Sequence, residues 1–192
     1  MPTTPALTLL PLAGAGEHTH ARLAEALADP RVERWLGTPA AVAVGRRMAG
    51  DLAGTSVHVV LLVGGEPVGW AGWLRYPEDS ACVESTTYLA PRVWRTGVNL
   101  AAKALLWQVA AAAGVPLVAS VHTENLASLA AMVRAWPDVA PALVHEVVKG
   151  RDAYVFALDR PPAVALSWPV ELVTALAEAV RNLPAGAPAP PR

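Results

Sequence analysis

The chain has 192 residues, 54% of them hydrophobic and 16% charged, with a formal net charge of −1. This composition can build a core and excludes intrinsic disorder, which needs low hydrophobicity together with high net charge. Fifteen Lys and Arg against sixteen Asp and Glu, with no run of one sign, leave no basic stripe, so no nucleic-acid partner is expected. The single cysteine, Cys82, excludes an intrachain disulfide or a multi-cysteine metal site and points to a reducing compartment. The chain shows no signal-like start and no uninterrupted apolar run of about 18 residues. A cytoplasmic protein without a membrane partner is the expectation.

In chain order, residues 8–12 form a short β-like run, and Gly14-Ala15-Gly16 make a turn before a helical pattern starts at Glu17. Apolar residues three and four apart (Leu23, Leu27, then Val32, Trp35, Leu36) are interrupted at Asp29-Pro30, which predicts two helical pieces joined by a kink. A third helix is predicted over 40–52. The β-branched run 57–63, the turn Gly64-Gly65-Glu66-Pro67 and the return 68–74 predict a hairpin. Glycines alternate there with Trp70 and Trp73, suggesting close backbone approach on one face and bulky packing on the other. After a loop at 76–79, a third strand runs through Cys82 to Leu89 and is closed by Pro91.

An Ala-rich helix follows over 100–113, stopped by Gly114 and Pro116. Next come a strand at 117–121, a helix at 125–136, two strands at 143–148 and 153–158 around a turn at 149–152, and a last helix from Trp168-Pro169 to about Leu183. The order implies an α+β fold with a mixed, mostly antiparallel central sheet flanked by helices. A single domain over 1–183 with a Pro/Ala-rich tail over 184–192 is expected.

The turn Arg95-Thr96-Gly97-Val98-Asn99 carries the most chemistry. A helix opening there leaves its first N–H groups unpaired. Gly97 lets the backbone approach an anion closely, Arg95 adds positive charge, and the helix dipole adds more. A pyrophosphate suits such a site. The turn has neither the second glycine and Lys-Ser/Thr pair of a P-loop nor the three-glycine dinucleotide fingerprint.

Val83-Glu84-Ser85-Thr86-Thr87-Tyr88-Leu89-Ala90-Pro91, then Arg95-Thr96-Gly97-Val98-Asn99 and Lys103, resembles the acetyl-CoA-binding segment of the GNAT N-acetyltransferase superfamily, closest to its RimJ/RimL-like branch. Asn125-Leu126-Ala127-Ser128 is similar to that branch's N-x-x-S, Leu10-Pro11-Leu12 to its opening, and Ser167-Trp168-Pro169-Val170 to its close. The resemblance implies a GNAT fold in which the strand ending at Leu89 splays from its parallel neighbour at 117–121. It further implies acetyl-CoA or another acyl-CoA as co-substrate. The backbone of Thr87, Tyr88 and Leu89 would then meet the pantetheine arm, and the N–H groups of Arg95, Thr96, Gly97, Val98 and Asn99 the pyrophosphate. Asn125 and Ser128 would lie near the thioester, with the Ser128 hydroxyl beside the leaving sulfur. The sequence departs from the family at Trp94, where Gln or Arg is usual, at Leu10, and after Ser128, where an Arg-rich run and Leu-Gly-Phe give way to residues 129–138.

Acyl transfer needs an amine to lose a proton and a sulfur to be stabilised or protonated. Glu84, on the strand bordering the implied cleft, is a candidate base; the alternative is a solvent-facing strand carboxylate. His122, just before the Asn125 helix, is a second candidate, against a surface or capping role. His18 and His20 stand two apart on a helix, do not face each other, and with the other histidines suggest no metal site. Cys82 reads as a small buried hydrophobe rather than a nucleophile. Of the seven tryptophans, Trp35 and Trp73 fall where the family builds its acceptor pocket, against ordinary packing for each. The apolar helix 100–113, with Lys103 and Gln108 as its polar interior residues, must be deeply buried or shared with another chain, as in a homodimer. The reading is an acyl-CoA-dependent N-acyltransferase for a small-molecule amine or a protein N-terminus. The rival is a catalytically weak or inactive GNAT-like domain that binds a CoA thioester or a partner protein. An aminoacyl-tRNA donor would require a basic groove that the sequence does not show.

Overall fold

The hydrophobic periods of the sequence resolve, in a computed structural model describing residues 6–77, 79–146, 151–163 and 168–184, into alternating strands and helices. In order these are β1 (Leu7–Pro11), α1 (Glu17–Leu27), α2 (Pro30–Leu36), α3 (Ala40–Leu52), β2 (Ser56–Val63), β3 (Glu66–Tyr76), β4 (Asp79–Leu89), α4 (Val98–Ala113), β5 (Leu117–His122), α5 (Leu126–Ala135), β6 (Ala142–Glu146), β7 (Arg151–Ala157) and α6 (Val170–Arg181). The seven strands form one sheet in the order β1-β2-β3-β4-β5-β7-β6. β1 runs antiparallel to β2, with Leu9 opposite Leu61, and β7 runs antiparallel to both β5 and β6. β4 and β5 are parallel, with Val83 opposite Leu117 and Glu84 opposite Val118. This is the mixed, helix-flanked α+β GNAT fold expected from the sequence. Of the turn expected at 149–152, Lys149 and Gly150 lie outside the described residues, as do residues 147–148 of the strand expected at 143–148, Ser167 and all but the first residue of the tail, while Arg151 and Asp152 open β7.

The chain divides into two compact units, Met1–Gly72 with Thr86–Ala102, and Trp73–Ser85 with Lys103–Arg192. In the first unit, Leu12, Leu23, Leu27, Val32, Val44, Val60, Leu62 and Trp70 share a core. The break between α1 and α2 falls where the sequence placed it. Asp29 caps α2, its carboxylate accepting from the Arg31 N–H at 2.8 Å, Pro30 opens the helix, and Gly37 closes it in the left-handed region. Two glycines of β3 let neighbouring strands come close, on different sides. A Cβ at Gly69 would lie 2.1 Å from the Tyr88 carbonyl oxygen of β4, and one at Gly72 would lie 2.1 Å from the His58 ring of β2. The glycines therefore ease both flanks of β3 and do not define one face. His58 is buried and its Nδ1 lies 2.7 Å from Asp51 Oδ1; Ser56 Oγ donates to the same carboxylate oxygen at 2.7 Å.

In the second unit, Trp73 is fully buried and its indole N–H donates to the Leu106 carbonyl at 3.0 Å. It is a core residue, which removes it from any acceptor pocket. Trp136 is likewise buried and donates to the Arg160 carbonyl at 2.9 Å. The C-terminal part is tied down by arginines: Arg75 donates twice to the Leu183 carbonyl, at 3.1 and 2.7 Å, and Arg181 donates to the Ala113 and Ala112 carbonyls at the end of α4. Along α4, Ala101, Ala102, Ala104, Leu105, Leu106, Val109, Ala110 and Ala113 are buried within the chain itself. That meets the first of the two alternatives for an all-round apolar helix.

Candidate active site

In the first unit the end of β4 passes through a 3-10 turn at Pro91–Val93 into the loop before α4. Arg95 adopts φ 66°, left-handed for a residue with a Cβ, and Gly97 adopts φ 92°, with Thr96 at negative φ between them. Alternating signs of φ turn successive N–H groups toward one side, which makes an anion-accepting concavity. Thr96 Oγ1 pins the turn by donating to the Val93 carbonyl at 2.7 Å. The first intrahelical bond of α4 runs from the Ala101 N–H to the Gly97 carbonyl at 3.0 Å, so the N–H groups of Val98, Asn99 and Leu100 stand ahead of the ladder at the positive end of a 16-residue helix. Val98 is fully buried and anchors the helix start, while Arg95 is exposed.

Among the described residues, four buried side-chain polar atoms of this unit have no hydrogen-bond partner: His58 Nε2 and Trp70 Nε1, and the pair Thr86 Oγ1 on β4 and Asn99 Oδ1 at the start of α4. Buried polar atoms are seldom left so, and the last two flank the segment to which the resemblance assigns a coenzyme. Tyr88 is half-buried and packs its side chain against the core, its hydroxyl donating to the Trp35 carbonyl at 3.2 Å and its ring tilted against Trp70 at 5.2 Å. The unusual Trp94 donates its indole N–H to the Leu89 carbonyl at 2.9 Å and carries the Arg31 guanidinium 5.2 Å from its ring centre. One acceptor position of Leu89 is thereby taken.

In the second unit, Glu84 is 4% exposed, a buried strand carboxylate rather than a solvent-facing one. Ser85 Oγ donates to the Val118 carbonyl at 3.2 Å, just where β4 and β5 pair. His122 stands four residues beyond Val118 along β5, about 13 Å at strand rise, so the two base candidates are not brought together. His122 Nδ1 accepts from the Glu124 N–H at 3.1 Å, which places the proton of a neutral ring on Nε2 and suits a turn-capping role. Asn125 and Ser128 are brought together: Asn125 Oδ1 caps α5 by accepting from the Ser128 N–H at 3.1 Å. The half-buried Ser128 hydroxyl makes no side-chain hydrogen bond to a described residue.

Sequence reasoning missed two features here and named a third, Lys103, without its state. Ser120 Oγ on β5 is buried without a partner among the described residues; its only signal was a polar residue within an apolar strand. Lys103 is 7% exposed, and burial lowers its pKa to about 8. The His58–Asp51 pair joins residues on separate elements. Cys82, expected to be buried, is partly exposed; its thiol lies 3.3 Å from an Asp79 carboxylate oxygen, and desolvation with that carboxylate raises its pKa. Both disfavour a nucleophile. Among the described residues no group of three or more His, Cys, Asp or Glu could hold a metal ion, and no helix is long and apolar enough to cross a membrane.

Comparison with known proteins fits this geometry. The family model described as an acetyltransferase (GNAT) domain matches residues 7–135. The chain belongs to the GNAT acetyltransferase family and is a GNAT-type N-acetyltransferase. No curated protein matches the sequence significantly. Among solved structures, the aminoglycoside acetyltransferase AAC(6')-Ib with coenzyme A is 18% identical at a TM-score of 0.62, over 79% of this chain and 94% of that one. A second structure of AAC(6')-Ib holds ribostamycin and coenzyme A. An acetyltransferase from Thermus thermophilus is 19% identical at a TM-score of 0.60, over 82% and 98%. The microcin C7 self-immunity acetyltransferase MccE, with acetyl-CoA and AMP, is 14% identical at a TM-score of 0.59, over 78% and 90%.

Proposed function

We propose that this protein transfers an acyl group, acetyl in the first instance, from acyl-CoA to a primary amine by direct attack, in the manner of the RimJ/RimL-like branch. The observation that carries the reading is the turn at Arg95 and Gly97, held in left-handed backbone at the head of α4. The donor supplies an activated acyl group on a sulfur leaving group. The N–H groups at 95–99 would hold its pyrophosphate, and the backbone of Thr87 to Leu89 its amides, with the Leu89 carbonyl shared with Trp94. Glu84, buried on β4, takes a proton from the attacking amine directly or through water. Ser128, its N–H fixed by Asn125, keeps its hydroxyl for the sulfur. His122 serves the turn before α5. A small-molecule amine is the favoured acceptor, supported by the aminoglycoside-binding neighbour and by a net charge of −1 that offers little pull on a basic protein target.

Calorimetric titration with acetyl-CoA and coenzyme A tests the donor. Micromolar binding is expected, and Gly97→Trp should lose it, because position 97 needs positive φ and an open approach. Absence of binding by the folded wild type would sink the reading. With binding established, thiol release over a panel of amines identifies the acceptor, and Glu84→Gln should lower kcat about 10²–10⁴-fold.

A further inference from the structure

We propose that Lys103 is the proton donor to the leaving sulfur of the acyl transfer, a role that rests on the acyl-CoA reading above. Lys103 lies on α4, within the second unit, almost wholly removed from solvent. Its Nζ is 2.9 Å from Met132 Sδ and 5.8 Å from the centre of the Trp136 ring. A thioether is a weak acceptor, and an aromatic face attracts a cation without neutralising it. Buried charges in proteins are ordinarily paired with an opposite charge, whereas among the described residues the groups this ammonium meets are a sulfur and a π face.

The place of that sulfur makes the arrangement informative. Met132 follows Ser128 by four residues on α5, so the two side chains share one face with their Cβ atoms about 5–6 Å apart. Lys103 thus presents its ammonium to the face of α5 that carries Ser128, one turn further along. Met132 is unbranched and can yield its position, so a sulfur arriving beside Ser128 would replace one sulfur contact of Lys103 with another. Burial has brought this amine close to a thiol in proton affinity, a match that lets a proton pass with little penalty in either direction.

In the step itself the acceptor nitrogen attacks the thioester carbonyl carbon. The N–C bond forms, the C–S bond breaks, and its electron pair goes to sulfur. The nitrogen loses a proton to Glu84, which returns it to water. Lys103 gives a proton to the sulfur and regains one from water when the products leave. The Ser128 hydroxyl orients the sulfur toward Nζ.

The test compares coenzyme A with desulfo-coenzyme A, in which hydrogen replaces the thiol, by calorimetric titration at pH 8 of the wild type and of Lys103→Met. The wild type should bind coenzyme A at least about tenfold more tightly, as a charge-assisted contact to the sulfur requires. Lys103→Met should bind desulfo-coenzyme A as the wild type does and lose the preference; Lys103→Gln provides the same comparison in a polar isostere. With an acceptor in hand, kcat should fall about 10²-fold with KM for the donor little changed. Equal wild-type affinity for the two ligands would overturn the role of Lys103 and leave the acyl-CoA reading standing. Loss of both ligands together in folded Lys103 variants would reduce the residue to packing and overturn the role as well. Failure of the wild type to bind either would overturn both readings.

Discussion

His58 is held in its uncharged form, because burial outweighs the hydrogen bond and attraction of Asp51, and the nearby Arg47 adds to the depression. Its folded-state pKa therefore lies below the ordinary 6.5, so the unfolded chain binds this proton more readily. The stability that depends on neutral His58 is complete above pH 6.5 and is lost as pH falls below that value. Urea midpoints measured from pH 8 to pH 5 should decline, and His58→Gln should flatten the decline; an unchanged slope would show that other groups cause it. Histidine at 58 read as one polar position in an apolar strand, since its partner Asp51 belongs to the preceding helix. The same limit applies to Lys103 and to the orphan hydroxyls of Thr86 and Ser120. Gly97 was legible as a turn residue because a backbone turn is local; the cap of Asn125 on Ser128 is as local but was not named, since the two residues were read only through the family resemblance. That Glu84 is buried was not legible, for a lone carboxylate in a strand carries no mark of which way it faces.

Among the elements, α3 was legible to the residue, and the Asp29-Pro30 break was read correctly because proline and a capping aspartate act on the next turn. The 3-10 turn at Pro91–Val93 was not foreseen; a proline ending a strand is equally consistent with several turns. The role of the β3 glycines was misjudged for a different reason. Alternation along one strand cannot say which neighbour crowds each glycine, and the crowding comes from β4 at Gly69 and β2 at Gly72. Gly69→Ala should cost about 1–3 kcal/mol or more, because its new methyl group meets a backbone oxygen that cannot rotate away. Chemical denaturation would report this as a lower midpoint with an unchanged m-value. A midpoint within error of the wild type would mean that β3 and β4 separate at little expense.

For the molecule as a whole, the family and the sheet could be read from motifs spread along most of the chain, because each motif terminates or opens an element and so fixes the element order. The grouping of those elements could not be read, because it follows from contacts between distant segments. Neither unit is one continuous stretch: the chain leaves the first inside β3, returns inside β4, and leaves again inside α4. This gives the protein a timetable during synthesis. The first unit is complete in sequence once residue 102 has been made, whereas the contacts of residues 73–85 with the rest of their unit wait for β5 and β7, roughly 3–11 s of further elongation. Stalled nascent chains should therefore become protease-resistant across residues 6–72 while 73–85 is still cleaved, and simultaneous protection would refute the order. β4 can pair with β3 as soon as both are made, but its other edge waits for β5, so the stretch that supplies the candidate base is for that interval open on one side to pairing with another chain.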